Sequence, residues 1–400
     1  MSILEELASQ RVWEEFLAYR LRKGRFNWHT FDEADRIVEH EAYLPMVQHL
    51  LSGGRLGFPQ KKVLNKMGSG KKRVVYGFRE EEMTVLKVLA YLLYRYDDSF
   101  APNCYAFRRG LSAPDALRCV NRAVHGKALW AYKLDIHDYF NSIPVDRLLS
   151  RLEVLLSDDR PLYGFFETLL TEDRVVWNGE VIPERHGVFA GTPTAPFLAD
   201  VYLSGLDHHF SDEGIPYARY SDDIILFAPD RETLEGYKQF VLRYIADAGL
   251  VVNPEKERVY SPEEPYEFLG FSCRDDAVDI ASGSLRKMKG KIRRKTRSLL
   301  RWKKRKGIPP EQAMARLIRY FNRKYFEDGD RTLTWSRWYF PVLTRAEGLR
   351  EIDHYLQQNL RVLATGRHNG ANFRISYDTL KQLGYRSLVH EYYAFRNLRK

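Results

Sequence analysis

The stretch YARYSDDIILFAPD, residues 217–230, decides how this chain folds. Two adjacent acids, Asp222 and Asp223, stand between apolar runs with strand character, Tyr217–Tyr220 and Ile224–Phe227. Ser-Asp-Asp is favourable turn chemistry, so the spacing predicts a tight β-hairpin with the acids at its tip. By itself such a tip is equally a solvated turn. Its meaning depends on what else the chain brings to it.

A second segment, AYKLDIHDYFNSIP at 131–144, ends an apolar strand on Asp135 and places Phe140 five positions later. A carboxylate at a strand end that faces two more on a neighbouring hairpin is repelled by them unless something neutralises the group. Divalent metal is the usual answer, and Mg²⁺ takes one or two carboxylates together with substrate phosphates. Two such ions ~3.5–4 Å apart can activate an attacking hydroxyl and stabilise a leaving phosphate group in an in-line displacement. The bland reading of Asp135 is a surface acid that closes a strand.

Outward from these segments, the chain has 400 residues, 44% of them hydrophobic, which is enough for a large core and two or three packed subdomains. Its 63 Lys+Arg against 53 Asp+Glu leave a formal charge of +10, which favours a polyanionic partner such as nucleic acid. The distribution is more telling than the sum: RKMKGKIRRKTRSLLRWKKRK, from Arg286 to Lys306, holds no acidic residue. Aromatic residues are frequent and suit base stacking and core filling alike. Cys104, Cys119 and Cys273 are too far apart for a CxxC metal site and odd in number, which predicts reduced thiols in a cytoplasmic protein. The acidic, amphipathic start MSILEELASQRVWEEF is unlike a secretory signal. The most apolar segment, VLKVLAYLLY at 85–94, is short and interrupted by Lys87, so no membrane span is expected.

Residues 1–50 read as two or three helices, with Trp13, Phe16 and Leu17 at helical spacing. Between 51 and 82, Gly- and Lys-rich turns surround two strand-like pieces, the second being RVVYGF at 73–78, and a helix is expected at 82–97. Then come a strand at 129–136, helices at 144–156 and 161–171, and a small hairpin around Val175–Val181. A helix at 195–210, the strand pair 217–227, a helix at 231–248 and strands near 251–260 and 266–273 follow. This order predicts an α+β fold, an antiparallel sheet with helices on one face. Beyond about residue 280 the chain reads as helical and basic.

These residues carry a family resemblance. KLDIHDYFNSI resembles the first carboxylate motif of reverse transcriptases, and YSDD resembles their Tyr-x-Asp-Asp box. CYAFRRGLSAPDAL at 104–117 is similar to the SYGFRPGRSxHxAL block of group II intron-type bacterial enzymes, and GVFAGTPTAPFLADVYL at 187–203 to their GxPQGxxxSPxLANxYL block. AGLVVNPEKERVY at 248–260 resembles the GLxLNxxKT block, and EFLGF at 267–271 the FLGF block. The likeness runs from about 60 to 275, and the ordered set is far more specific than any one block. It implies a right-hand polymerase: a helical extension at 1–60, fingers and palm at 61–278, a basic helical thumb at 279–330 and a helical extension at 331–400.

By position, the resemblance makes Asp135, Asp222 and Asp223 the catalytic acids and the ligands of two Mg²⁺ ions, with Mn²⁺ able to substitute; Asp135 and Asp222 are the direct bridging ligands. It makes Phe140 the steric gate against a sugar 2′-hydroxyl, although the ring is equally a core aromatic by spacing. Arg73 corresponds to the Arg that holds the incoming triphosphate, with Lys71 and Lys72 beside it; the two lysines are also readable as an exposed charge run. Lys256 corresponds to the residue that neutralises departing pyrophosphate, or is a solvated loop residue. Phe268, Leu269 and Gly270 correspond to the turn that grips the primer end. One departure stands out. Where the family reads Pro-Gln in GxPQG, this chain has Phe189-Ala190 before Gly191, so Ala190 and Gly191 line the nucleotide site without the Gln amide, and a loosened site is expected. Ala195-Pro196 replaces Ser-Pro, and Asp200 stands at the usual Asn.

In the thumb, Arg286, Lys287, Lys289, Lys291, Arg293, Arg294, Lys295 and Arg297 are expected to contact phosphates, with steep salt dependence. Residues 331–400 offer aromatic anchors (Trp335, Trp338, Tyr339, Tyr385, Tyr392, Tyr393) but neither the Cys/His spacing of an HNH endonuclease nor a recognisable RNase H set of acids. This segment reads as an accessory extension for a structured RNA. The expected function is RNA-directed DNA polymerisation: a dedicated structured noncoding RNA is copied into cDNA from dNTPs through an RNA/DNA duplex, in a stand-alone bacterial enzyme of the retron and group II intron-like superfamily with an antiphage defence role. Two alternatives stay open. An RNA-dependent RNA polymerase shares the acids, but Phe140 and the FLGF block speak against it. A non-catalytic RNA-binding maturase or scaffold is disfavoured by clustered acids in a basic cleft.

Overall fold

The computed structural model describes residues 1–22, 35–65, 72–185, 187–326, 334–367, 372 and 374–398. In chain order the strands are β1 (Gln60–Asn65), β2 (Lys72–Gly77), β3 (Trp130–Asp135), β4 (Arg174–Trp177), β5 (Glu180–Pro183), β6 (Tyr217–Tyr220), β7 (Asp223–Ala228), β8 (Arg258–Tyr260), β9 (Tyr266–Phe268), β10 (Phe271–Arg274) and β11 (Ala277–Ile280). The chain divides into two compact units, Met1–Glu263 and Glu264–Lys400.

The first unit is built on an antiparallel sheet in the order β6-β7-β3-β8. One of its two inner strands, β7, buries five residues in succession, Ile224 to Ala228, so both of its faces are covered. The helix Arg231–Asp247 packs on β3 and β7, while the helices Ala195–Asp212 and Ala113–Val124 pack on β6. Each fully buried Ile or Leu here contributes about 1.5–3 kcal/mol. The helix boundaries follow from local chemistry. Pro229 ends β7's run, and the Asp230 side chain then accepts from the Thr233 amide at 2.8 Å, capping the next helix. Pro196 sits in the first turn of Ala195–Asp212, where its missing N–H costs nothing.

A second sheet in this unit has the order β2-β1-β4-β5. β1 and β2 form an antiparallel hairpin, and β1 touches β4 in parallel at Gln60↔Val176. The small hairpin near Val175–Val181 therefore joins β1 and not the sheet that carries the acids. The helix expected at 82–97 is Glu80–Leu92, continued by a tighter 3₁₀ turn over Leu93–Ser99. The helix Ala113–Val124 was not anticipated, although Ser112 and Pro114 are both start signals.

The second unit begins with a three-stranded meander in the order β11-β10-β9. Its helices Ser282–Lys306, Pro310–Phe326 and Glu347–Thr365 pack on one another, and the helix Leu388–Asn397 packs on Glu347–Thr365. Met288, Ile292 and Leu299 form the buried stripe of the long basic helix. The buried carboxylate of Asp353 ties in the C-terminal turn: it accepts from Tyr385 Oη at 2.8 Å, Ser387 Oγ at 2.6 Å and the amides of Leu388 and Val389 at 2.9 and 3.1 Å. Among the described residues, no helix is long and apolar enough to cross a membrane.

Candidate active site

β6 and β7 are joined by two residues, Ser221 and Asp222. Ser221 takes a left-handed backbone, φ +62°, which a two-residue hairpin turn needs and a β-branched residue would resist. β7 then starts on Asp223, which lies opposite Asp135, the last residue of β3. The Ile136 amide donates to the Asp222 carbonyl at 3.1 Å, fixing the turn against the end of β3. Thus Asp135 and Asp223 are cross-strand neighbours, and Asp222 occupies the turn beside them.

Two lysines stand among these acids. Lys256 Nζ lies 2.5 Å from Asp135 Oδ2, and Lys133 Nζ lies 3.3 Å from Asp223 Oδ1. The loop that presents Lys256 is itself stitched to β3: the Asn253 amide donates to the Asp135 carbonyl at 2.7 Å, and the His137 amide to the Val251 carbonyl at 2.8 Å. Burial and the charges of Asp135 and Asp223 push the Asp222 carboxyl up to about 6, against the milder opposing pull of Lys256. Two cations for three crowded carboxylates leave the third incompletely compensated.

Among the described residues, no group of three or more His, Cys, Asp or Glu side chains is arranged to hold a metal ion. The donor chemistry nevertheless fits Mg²⁺, which needs only one or two carboxylates and takes its remaining oxygens from water and phosphate. Positive charge brought beside Asp222 would offset the repulsion by Asp135 and Asp223 that helps raise its carboxyl.

Phe140 lies in the short helix Tyr139–Ser142, half-buried, with Phe107 edge-on at 6.0 Å between ring centres. Its carbonyl accepts from the Val188 amide at 2.9 Å. The close approach requires Gly187, because a Cβ there would come within 2.1 Å of the Phe140 carbonyl oxygen. Ala190 is buried, and its carbonyl accepts from the Tyr76 amide at 2.7 Å, so this position presents backbone to β2. Gly191 follows at φ +104°, against Tyr76 and Val75. Phe189 fills the space behind, with Tyr76 and Phe78 edge-on at 5.5 and 6.0 Å. Arg73 and Lys72 are exposed at the start of β2, and Lys71 lies outside the described residues.

Sequence reading missed Lys133 and Phe107. Lys133 was legible, since it precedes Asp135 by two on a strand and so shares its face. Phe107, at φ +60°, lies within the quoted block CYAFRRGLSAPDAL, which pointed to the segment but not to this ring.

In the second unit, Leu269 and Gly270 form the turn between β9 and β10, both at positive φ, +50° and +87°. Gly270 is required there, because a Cβ would meet Ser284 Oγ at 2.8 Å and Tyr339 Oη at 2.9 Å. Phe268 and Leu269 are buried. Of the eight basic residues expected on nucleic acid, Arg286, Lys287, Arg293, Arg294 and Arg297 are exposed. The other three are half-buried, and two of them have protein partners. Lys289 pairs with Glu351 at 2.5 Å, Lys295 lies over the Tyr320 ring at 4.5 Å, and half-buried Lys291 has its ammonium pKa pushed down by burial and by Lys324, Arg294 and Lys287. Sequence reading missed a second basic strip along the helices Ser282–Lys306 and Pro310–Phe326. There Arg301, Arg305, Arg316, Arg319 and Arg323 gather around Trp302 and Tyr320.

Residues 59–273 match the family model described as reverse transcriptase (RNA-dependent DNA polymerase). Among curated proteins, the chain is 23% identical over 176 residues to the retron Ec86 reverse transcriptase of Escherichia coli, covering 43% of this chain and 51% of that protein. It is 30% identical over 139 residues to the retron Mx65 reverse transcriptase of Myxococcus xanthus, covering 32% of each. The chain thus spans about half or less of the length of these relatives. Among solved structures, apo telomerase from Candida tropicalis superposes with a TM-score of 0.51 at 11% identity, covering 84% of this chain and 61% of that one. That likeness is one of fold, the right-hand polymerase architecture.

Proposed function

Because the chain belongs to the reverse transcriptase (RNA-dependent DNA polymerase) family, we propose that it is an RNA-directed DNA polymerase whose chemistry is carried by Asp135, Asp222 and Asp223. The observation that carries the reading is the register Asp135↔Asp223 with Asp222 in the adjoining turn, its carboxyl pushed up to about 6. Two Mg²⁺ ions, or Mn²⁺ in their place, supply Lewis acidity toward the primer 3′-hydroxyl and the triphosphate when bound. The protein's own contribution is to hold those acids on three backbone-anchored positions. Lys256 neutralises charge on the departing pyrophosphate, while Arg73 and Lys72 draw in the triphosphate through exposed cationic groups. Phe140 lies under the sugar and excludes a 2′-hydroxyl. The backbone of Ala190 and Gly191 borders the base pair, and the missing Gln amide loosens base selection.

In this reading residues 61–278 are fingers and palm, 279–330 the thumb, and 1–60 and 331–400 extensions. Phe268, Leu269 and Gly270 support the primer end through the backbone of their turn, and the exposed thumb cations track the phosphates of an RNA/DNA duplex. By analogy with retron reverse transcriptases, we infer that the template is a dedicated structured noncoding RNA; the antiphage defence role proposed with it rests on the sequence resemblance alone. The free thiols Cys104, Cys119 and Cys273 suit a cytoplasmic location.

The test is Mg²⁺-dependent incorporation of labelled dNTPs and rNTPs, with Asp222→Ala/Asp223→Ala as control, alongside sequencing of RNA that co-purifies. The expected result is dNTP incorporation that vanishes in the control and one enriched structured RNA. A preference for rNTPs would assign the chain to RNA synthesis. Tight RNA binding with no incorporation would leave a scaffold.

A further inference from the structure

Behind the acid-bearing turn, a guanidinium is shut inside the first unit. Arg219 lies on β6, two residues before Ser221, and is fully buried. Its Nε donates to Asp207 Oδ1 at 2.8 Å, and its Nη2 to Asp207 Oδ2 at 2.5 Å. Nη1 divides between Asp200 Oδ1 at 3.2 Å and the carbonyl of Ser221 at 3.3 Å. Nη2 also reaches the Asp200 carbonyl at 3.3 Å and Cys104 Sγ at 3.1 Å. Tyr217 Oη completes the shell of Asp207 at 2.9 Å. The backbone of Arg219 is held as well, by the Asn103 carbonyl and the Tyr105 amide, each at 3.0 Å.

Such a cluster is costly to desolvate, and its geometry must be well satisfied to persist. The five N–H donors of the planar fork reach two carboxylates, two carbonyls and a thiol, more acceptors than the three N–H groups of an ammonium can serve. The carbonyl it reaches belongs to Ser221, the one residue of the hairpin in the left-handed region, and such a conformation persists only where its surroundings over-determine it. Asp200 is the second anchor. It sits on the helix Ala195–Asp212, at the position where the resembling block carries Asn, so this chain sets two acids around one guanidinium.

We propose that Arg219 is a positioning residue for Asp222 and Asp223, acting through the Ser221 carbonyl, and that Asp200 fixes the orientation of its fork. The activity arm of this inference rests on the polymerase reading; the structural arm does not. Amide hydrogen exchange is measured on the turn 220–224 in metal-free full-length protein for wild type, Asp200→Ala, Asp200→Asn and Arg219→Lys. Exchange in the turn rises roughly tenfold or more in Asp200→Ala and Arg219→Lys, while the helix Arg231–Asp247 is unchanged. Asp200→Asn, which keeps an oxygen for Nη1, stays within about twofold of wild type. In dNTP incorporation, Asp200→Ala loses roughly ten- to hundredfold in kcat at unchanged KM for dNTP, and Asp200→Asn restores it.

The proposal is overturned if the turn of Asp200→Ala exchanges like wild type, if exchange rises equally across the first unit, or if Asp200→Asn fails as Asp200→Ala does. Should Arg219→Lys not fold, the two Asp200 variants decide. A wild type without incorporation retires the polymerase reading and leaves this one to the exchange data.

Discussion

Lys256 places its ammonium 2.5 Å from the Asp135 carboxylate, so the acid at the end of β3 carries its own counter-ion. Lys133 does the same for Asp223 at 3.3 Å, and among the described residues Asp222 alone of the three has no such neighbour at that range. The two ammonium groups offset part of the repulsion among the three acids, and an entering cation competes with them.

Replacing Lys256 by Met removes one of the charges that hold the Asp222 carboxyl down. The expected result is a loss of roughly ten- to hundredfold in incorporation rate. The acidic limb of the pH–rate profile also moves to higher pH. Steady-state kinetics across pH check both; a profile superimposable on wild type would sink the role given to Lys256.

The Asp222 carboxyl titrates at about 6 in the folded chain, above the ~3.9 of an unfolded aspartate. Between those values the folded state binds the proton more tightly. The group's stabilising contribution is therefore fully present below about pH 4 and lost as pH rises through 6. Asp200, pushed up to about 7 by burial and by Asp207 despite Arg219, has the same sign over a window reaching one step higher. Without metal, Asp222→Asn and Asp200→Asn should each gain stability over wild type as pH is raised from 4 to 8, read as the denaturant midpoint. Above pH 6, Mg²⁺ should narrow the gap for Asp222→Asn by stabilising wild type.

Phe140→Ala removes the ring that meets Phe107 edge-on and opens space beside it. It should improve rNTP use relative to dNTP by roughly tenfold or more, about 1.4 kcal/mol of lost discrimination. Competition assays with paired nucleotides measure the ratio, and an unchanged ratio would return Phe140 to the role of a packing residue.

Arg316→Glu/Arg319→Glu changes the basic strip of the second unit without touching its buried stripe. Affinity for a duplex should fall across all sequences. The slope of log affinity against log salt should become shallower by roughly one for each phosphate that is no longer neutralised. A parallel slope at lower affinity would mean that the strip does not touch phosphate.

Much of the site was legible because its signals are local. Apolar runs bracket Ser-Asp-Asp, and an apolar strand ends on Asp135, so both strands and the turn could be read without knowing the rest. The partners that tune the acids depend on distant sequence. Nothing local in Tyr-Ala-Arg-Tyr says that Arg219 is buried; its partners Asp200 and Asp207 stand on a separate helix. The assignment of β4 and β5 to the sheet of β1 rests on one long-range pairing, Gln60↔Val176. Likewise, an unbroken run of basic residues in Ser282–Lys306 does not say that Lys289 will meet Glu351 or that Lys295 will cover Tyr320.

The bridge between Cys104 and Arg219 has a consequence for how the molecule meets others. β6 is the outer strand of the sheet that carries the acids, and an outer strand ordinarily leaves a row of unpaired N–H and C=O groups as a template for a stranger's chain. Here residues 103–105 lie along it in parallel and exchange hydrogen bonds with Arg219 from both sides. The β6 border is thus covered at Arg219 by the chain itself, and the opposite border is β8, three residues long with exposed Arg258. A short charged margin and one covered at Arg219 leave this sheet less room to recruit a further strand.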